Sequence, residues 1–79
     1  MSILIDTELL TVKEVSKILK INVHRVYDLV RAGMLPALKL GSLKIRKSSL
    51  EKFLEEYEGM DISDVNNIKP LNIENSLPT

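Results

Sequence analysis

The sequence predicts a small, mainly α fold carrying one β-hairpin, and three observations lead there. Residues 11–33, TVKEVSKILKINVHRVYDLVRAG, read as two short amphipathic helices joined by a tight turn. Residues 37–46, ALKLGSLKIR, alternate apolar and basic side chains around a Gly-Ser pair, which is a hairpin pattern. Leu50, Phe53, Leu54 and Tyr57 then recur at i, i+3, i+4 and i+7, the spacing of a third helix.

The first helix has a sharp start. Thr11 and Glu14 form a Thr-x-x-Glu capping box, in which each side chain takes the other residue's backbone amide. Leu10 and Val15 occupy the matching hydrophobic-staple positions. Val12, Val15, Ile18 and Leu19 are the expected buried stripe, with Lys13, Lys17 and Lys20 on the opposite side. In the turn Lys20-Ile21-Asn22, Ile21 should point inward and Asn22 should cap the second helix. Val26, Leu29 and Val30 form the buried stripe of that helix, with Val23 at its edge. At about 100° per residue, His24, Asp28 and Arg31 share the far side, flanked by Arg25 and Tyr27. Gly33 suits a left-handed C-cap, and Pro36 blocks any helical continuation.

In the hairpin, Gly41-Ser42 fits a two-residue turn with glycine first, and such a turn sets the register. Leu40 is then expected opposite Leu43 and Leu38 opposite Ile45, all four on one side. Lys39 faces Lys44 on the other side, where Arg46 joins them opposite Ala37. Like charges directly across a ladder are destabilising, and an anionic partner would relieve them. Ser48 and Glu51 repeat the capping-box spacing and place the start of the third helix at Ser48. Glu51, Lys52, Glu55, Glu56 and Glu58 should face water, and Gly59 should end the helix.

The flanks are less regular. Ile3, Leu4, Ile5, Leu9 and Leu10 suit a strand or an ordered arm. From Met60 the composition shifts to Asn, Asp, Ser and Pro, as in a partly disordered tail. Ile62, Val65, Ile68 and Leu71 leave open a packing of that tail on the domain or on a partner. The expected organisation is an N-terminal arm over residues 1–8, a domain over 9–58 and a C-terminal tail over 59–79.

Composition narrows the function classes. A chain of 79 residues reads as one small domain with a limited core, which argues against a deep catalytic cleft. The absence of cysteine excludes disulfides and thiolate metal sites. There is no Gly-rich phosphate loop, no metal-ligand cluster and no Ser/His/acid set, so neither enzyme activity nor a cofactor nor a metal is expected. No apolar run could span a bilayer and no secretory signal is evident, so a cytoplasmic protein without a membrane partner is expected. The net charge of zero hides a strong asymmetry. Residues 11–50 hold nine Lys or Arg against Glu14 and Asp28, a net +7, so the flanks carry −7. Clustered positive charge is the electrostatic footprint of a phosphate-binding surface.

The order of parts resembles the excisionase group of DNA-binding proteins, whose fold is related to MerR-like winged helix-turn-helix domains. The stretches that carry the resemblance are Leu10-Thr11-Val12-Lys13-Glu14-Val15, Val26-Tyr27, Arg31-Ala32-Gly33-Met34-Leu35-Pro36-Ala37, Lys39-Leu40-Gly41 and Ile45-Arg46-Lys47-Ser48-Ser49-Leu50-Glu51. They cover residues 9–58. The resemblance implies a mainly α winged helix-turn-helix, with the hairpin as its wing, that binds double-stranded DNA. It further implies an accessory factor of site-specific recombination in a mobile element or prophage, with a recombinase or integrase as second partner. A small transcriptional regulator using the same surface is the alternative, and a module that grips an acidic protein is the third reading. Two departures stand out: the wing tip Gly41-Ser42-Leu43 is short and lacks the arginine often found there, and position 23 is valine where many relatives carry a polar or basic residue.

On this reading the second helix enters the major groove and the wing lies along the adjacent backbone or minor groove. The candidate DNA-binding residues are Asn22, His24, Arg25, Tyr27, Asp28, Arg31, Lys39, Lys44 and Arg46. Arg25 or Arg31 would donate in pairs to guanine, Asp28 would accept from cytosine, and His24 would make a polar contact. Tyr27, Asn22 and the first amides of the second helix would meet phosphates, while Lys39, Lys44 and Arg46 supply sequence-independent attraction. Plainer readings stand beside these. Lys13, Lys17 and Lys20 suit a solvated face, Asp28 suits a pair with a neighbouring cation, and Tyr27 suits a half-buried core position. The chain has no coiled-coil heptad, so a monomer in solution is expected, with side-by-side cooperative loading on DNA left open.

Overall fold

The computed structural model describes residues 8–71. Its elements run β1 (Leu9–Thr11), α1 (Val12–Leu19), α2 (Val23–Arg31), β2 (Leu38–Leu40), β3 (Ser42–Arg46), α3 (Lys47–Tyr57), β4 (Met60–Asp61) and β5 (Lys69–Pro70). All but the last residue of the expected arm, and the tail from residue 72 onward, lie outside the described residues.

Helix α1 starts at the predicted box. The Glu14 amide donates to Thr11 Oγ1 at 3.0 Å, and the Thr11 amide donates to Glu14 Oε1 at 2.8 Å. Its buried stripe is rotated from the expected one. Val12, Val15 and Ser16 are buried, with Leu19 packed behind them, whereas Ile18 is 51% exposed. Burial of Ser16 is tolerated because its hydroxyl donates to the Lys13 carbonyl at 2.7 Å. An eight-residue helix presents one narrow stripe, and the 12, 15, 16, 19 set is the one turned inward.

Lys20 ends α1 in the left-handed region, with φ at +60°, and the Ile21 amide reaches back to the Ser16 carbonyl at 3.0 Å. Asn22 then caps α2 as predicted, its Oδ1 accepting from the Arg25 amide at 3.0 Å. At the far end Gly33 takes φ of +79°. Its amide donates to Val30, and the Met34 amide donates to Leu29, both at 3.0 Å. That bond pair is a Schellman motif, and the accompanying apolar contact is met by buried Leu29 and Met34. The chain therefore leaves α2 along a fixed path, through Leu35, which is 1% exposed, into the wing.

The sheet is antiparallel in the order β1-β3-β2. β1 pairs Leu9, Leu10 and Thr11 with Arg46, Ile45 and Lys44. The wing register differs by one residue from the expected one. Leu38 pairs with Lys44, Lys39 with Leu43, and Leu40 with Ser42, leaving Gly41 at the tip with φ of +76°. A one-residue slip moves every side chain of a strand to the other face. Lys39 consequently does not face Lys44, and the leucines of β2 do not share a side with Leu43 and Ile45. All of β2 is exposed, so burial does not choose its register. Setting Lys opposite Leu also avoids the lysine–lysine repulsion of the alternative.

Helix α3 also begins earlier than expected. It starts at Lys47, directly from β3, with Arg46 at the N-cap and no side-chain cap bond. The Lys47 amide instead donates to the Glu8 carbonyl at 3.1 Å, continuing the β1–β3 ladder. Ladder and helix thus share a junction, and Ser48 with Glu51 makes no capping box. Leu50 and Phe53 are buried, and Phe53 meets half-buried Tyr57 at a ring-centroid distance of 5.3 Å. Leu54, expected inside, is 46% exposed. The core joins Leu10, Val12, Val15, Val26, Leu29, Met34, Leu35, Ile45, Leu50 and Phe53. Beyond Gly59, β4 and β5 pair Met60 with Pro70 and Asp61 with Lys69, and this ribbon lays Ile62 and Val65 on the core.

Candidate nucleic-acid interface

Helix α2 shows a polar outer face because its apolar residues are used up on the other side. Val26 is fully buried and Leu29 is 5% exposed, while His24, Arg25 and Arg31 are exposed and Asp28 is half-buried. Asp28 and Arg31 do not stand apart. Arg31 Nη2 donates to Asp28 Oδ1 at 2.7 Å in an i, i+3 pair, with the Arg31 side chain 69% and the Asp28 side chain 41% exposed. Such an exposed pair contributes about 0–1 kcal/mol, so exchanging it for a base contact costs little. Its effect is to hold one edge of the guanidinium and cancel one charge on this face.

The flanking positions diverge. Arg25 lies beside Leu19, Ile21 and Leu29 at a groove of about 580 Å³ that the C-terminal ribbon closes with Ile62 and Val65. Tyr27 sits on the other flank at 36% exposure. The Asn22 carbonyl oxygen is committed to the cap, which leaves its NH2 group as a donor.

The wing contributes a second surface. Side chains directly opposite in a ladder share a face. Ile45 is fully buried, so Leu43, Ile45 and Lys39 lie on the core-side face and Lys44, Arg46, Leu38 and Leu40 on the outer one. The Lys44 ammonium donates to Ser42 Oγ at 2.9 Å. Lys44 and Arg46 are thus brought together as expected, whereas Lys39 is on the opposite side. The companions of the two cations are leucines. The alternation, which favours all apolar side chains on one face, held no signal for this, because an exposed strand has no burial to enforce that register. No acidic residue occurs between Asp28 and Glu51, so this region is uniformly cationic.

Among the described residues no group of three or more His, Asp or Glu could hold a metal ion, and no helix is long and apolar enough to cross a membrane. A capped helix with a polar outer face, set across a tight turn from its support and followed by a basic hairpin, is the working part of a winged helix-turn-helix DNA-binding protein. The comparison with known families agrees: the model of a helix-turn-helix domain, of the excisionase-like kind, matches residues 9–58, and the chain belongs to that family. No curated protein and no solved structure matches the chain.

Proposed function

We propose that this chain is an excisionase-like accessory factor of site-specific recombination, which binds duplex DNA beside a recombinase and sets the direction of the reaction. The observation that carries it is the matched domain itself, residues 9–58, with the polar face of α2 and the cationic wing in one unit. In this reading α2 enters the major groove, where His24, Arg25, Asp28 and Arg31 meet base edges. Asn22 and Tyr27 meet phosphates, and Lys39, Lys44 and Arg46 add attraction that ignores sequence. Residues 9–58 are the DNA-binding unit and the ribbon after Gly59 is an appendage to it.

Two measurements test the proposal. With about five phosphate contacts, log affinity should fall against log salt with a slope of about −4 to −5. Undetectable duplex binding at low salt would remove the whole reading. An excision assay with a neighbouring recombinase, run with and without this chain, tests the accessory role. Equal excision in both, together with altered transcription from a bound promoter, would assign the same surface to a small transcriptional regulator.

A further inference from the structure

We infer that Leu40 is an apolar wedge: on duplex DNA the wing tip places this side chain in the minor groove and kinks the base stack beneath it. The inference rests on the duplex-binding reading and adds to it a residue and a deformation.

Leu40 is 60% exposed, more than any other large hydrophobic side chain among the described residues. A single exposed leucine is ordinary, and what distinguishes this one is its placement. It is paired with Ser42 at the tip of a hairpin whose turn is Gly41 alone. No atom approaches within 4 Å of where a Cβ on Gly41 would stand, so the tip is slim and open. Its face also carries Leu38, Lys44 and Arg46, and Lys44 is drawn toward the tip by its bond to Ser42. Neither Leu38 nor Leu40 packs on the core. Most of the Leu40 side chain therefore stays outside the fold, while the cations beside it match a polyanion.

The minor groove fits both properties. It is about 6 Å wide, which admits a thin hairpin edge and excludes a helix. Its negative potential attracts Lys and Arg, and proteins that enter it often push a leucine or similar side chain between base steps. A second copy of this chain, pairing along the open edge of β2, is the competing occupant. That pairing would bring two cationic wings together, which charge disfavours.

The test uses the full chain and a duplex selected from a random pool, labelled at both ends so that energy transfer reports the bend. Leu40→Ala should reduce the bend by roughly 20° or more and weaken binding about ten-fold. The salt slope should stay unchanged, whereas Lys44→Ala should make it shallower by about one. Leu54→Ala, at another exposed leucine, should leave bend and affinity as they were. Replacing a flexible pyrimidine–purine step under the wing by a stiff one should weaken the parent chain more than Leu40→Ala. A full bend retained by Leu40→Ala, or equal sensitivity of both chains to the step, overturns the inference while duplex binding stands. Self-association that Leu40→Ala abolishes without changing the bend would overturn it in favour of the second copy. Failure of the parent chain to bind any duplex removes both readings together.

Discussion

Lys20 is the non-glycine residue with positive φ among those described, and it sits in the turn that orients α2 against α1. A side chain in the left-handed region costs roughly 1–2 kcal/mol, and glycine there costs about 0.5–1 in backbone entropy instead. Lys20→Gly should therefore raise stability by about 0.5–1 kcal/mol in urea unfolding, and a loss would show that the lysine side chain supports the turn. At Asp61 the Ser63 backbone amide, then its hydroxyl, donate to the carboxylate at 3.0 and 2.8 Å. Those bonds hold its pKa below the ordinary carboxylate value. A depressed folded pKa means that the stabilisation is present above the unfolded value and fades as acid protonates the folded group. In an NMR titration Ser63→Ala should move the Asp61 midpoint upward, only in part because the backbone amide remains. An unmoved midpoint would deny the hydroxyl any share. On α2, removing Arg31 should relax preference at one base pair by about 1–3 kcal/mol if its contact is bidentate. Unchanged selection from a random pool would strike it from the readout set.

Capping separates the helices more sharply than propensity does. Thr11→Ala breaks a reciprocal box and should cost about 1–2 kcal/mol. Ser48→Ala, at the same sequence pattern, should cost under about 0.5 kcal/mol, because α3 enters from β3 and uses no side-chain cap. Comparable losses from the two changes would contradict the observed helix start. This contrast also marks what the sequence reveals at this scale. Thr11-x-x-Glu14 and Asn22 act within a few residues, so α1 and α2 could be located from local pattern alone. The start of α3 depends on the Glu8 carbonyl, a partner from the far end of the domain, and no window around Ser48 contains it. The wing register fails for a related reason. β3 is fixed by Leu10 against Ile45 in the core, but β2 is exposed along its length, so hydrophobic pattern has no hold on it. The same limit applies to the candidate interface. The polar face of α2 follows from helical geometry, whereas the leucine-and-cation face of the wing appears only once the register is known.

Across the whole molecule, charge divides by position in the chain. After Leu50, residues 51–71 carry Glu51, Glu55, Glu56, Glu58, Asp61 and Asp64 against Lys52 and Lys69, a net −4, following the +7 of residues 11–50. The ribbon is nevertheless tied to the domain through apolar contact. Ile62 packs on the core and should cost about 1 kcal/mol when replaced by alanine, while Ile68, 37% exposed, should cost under about 0.5. A loss at Ile62 as small as that at Ile68 in thermal unfolding would mean that the ribbon's apolar contact adds little to the stability of the domain. The outer strand of the sheet has no such tie. β2 holds three residues, bonds only to β3 and buries none of its side chains. It can therefore open locally at far lower free energy than the core, and the amides of Leu38–Leu40 should exchange with deuterium well before those of α1. Slowing of that exchange on a duplex would register the tip becoming rigid, so part of the association free energy is spent on ordering a segment that the isolated molecule leaves loose.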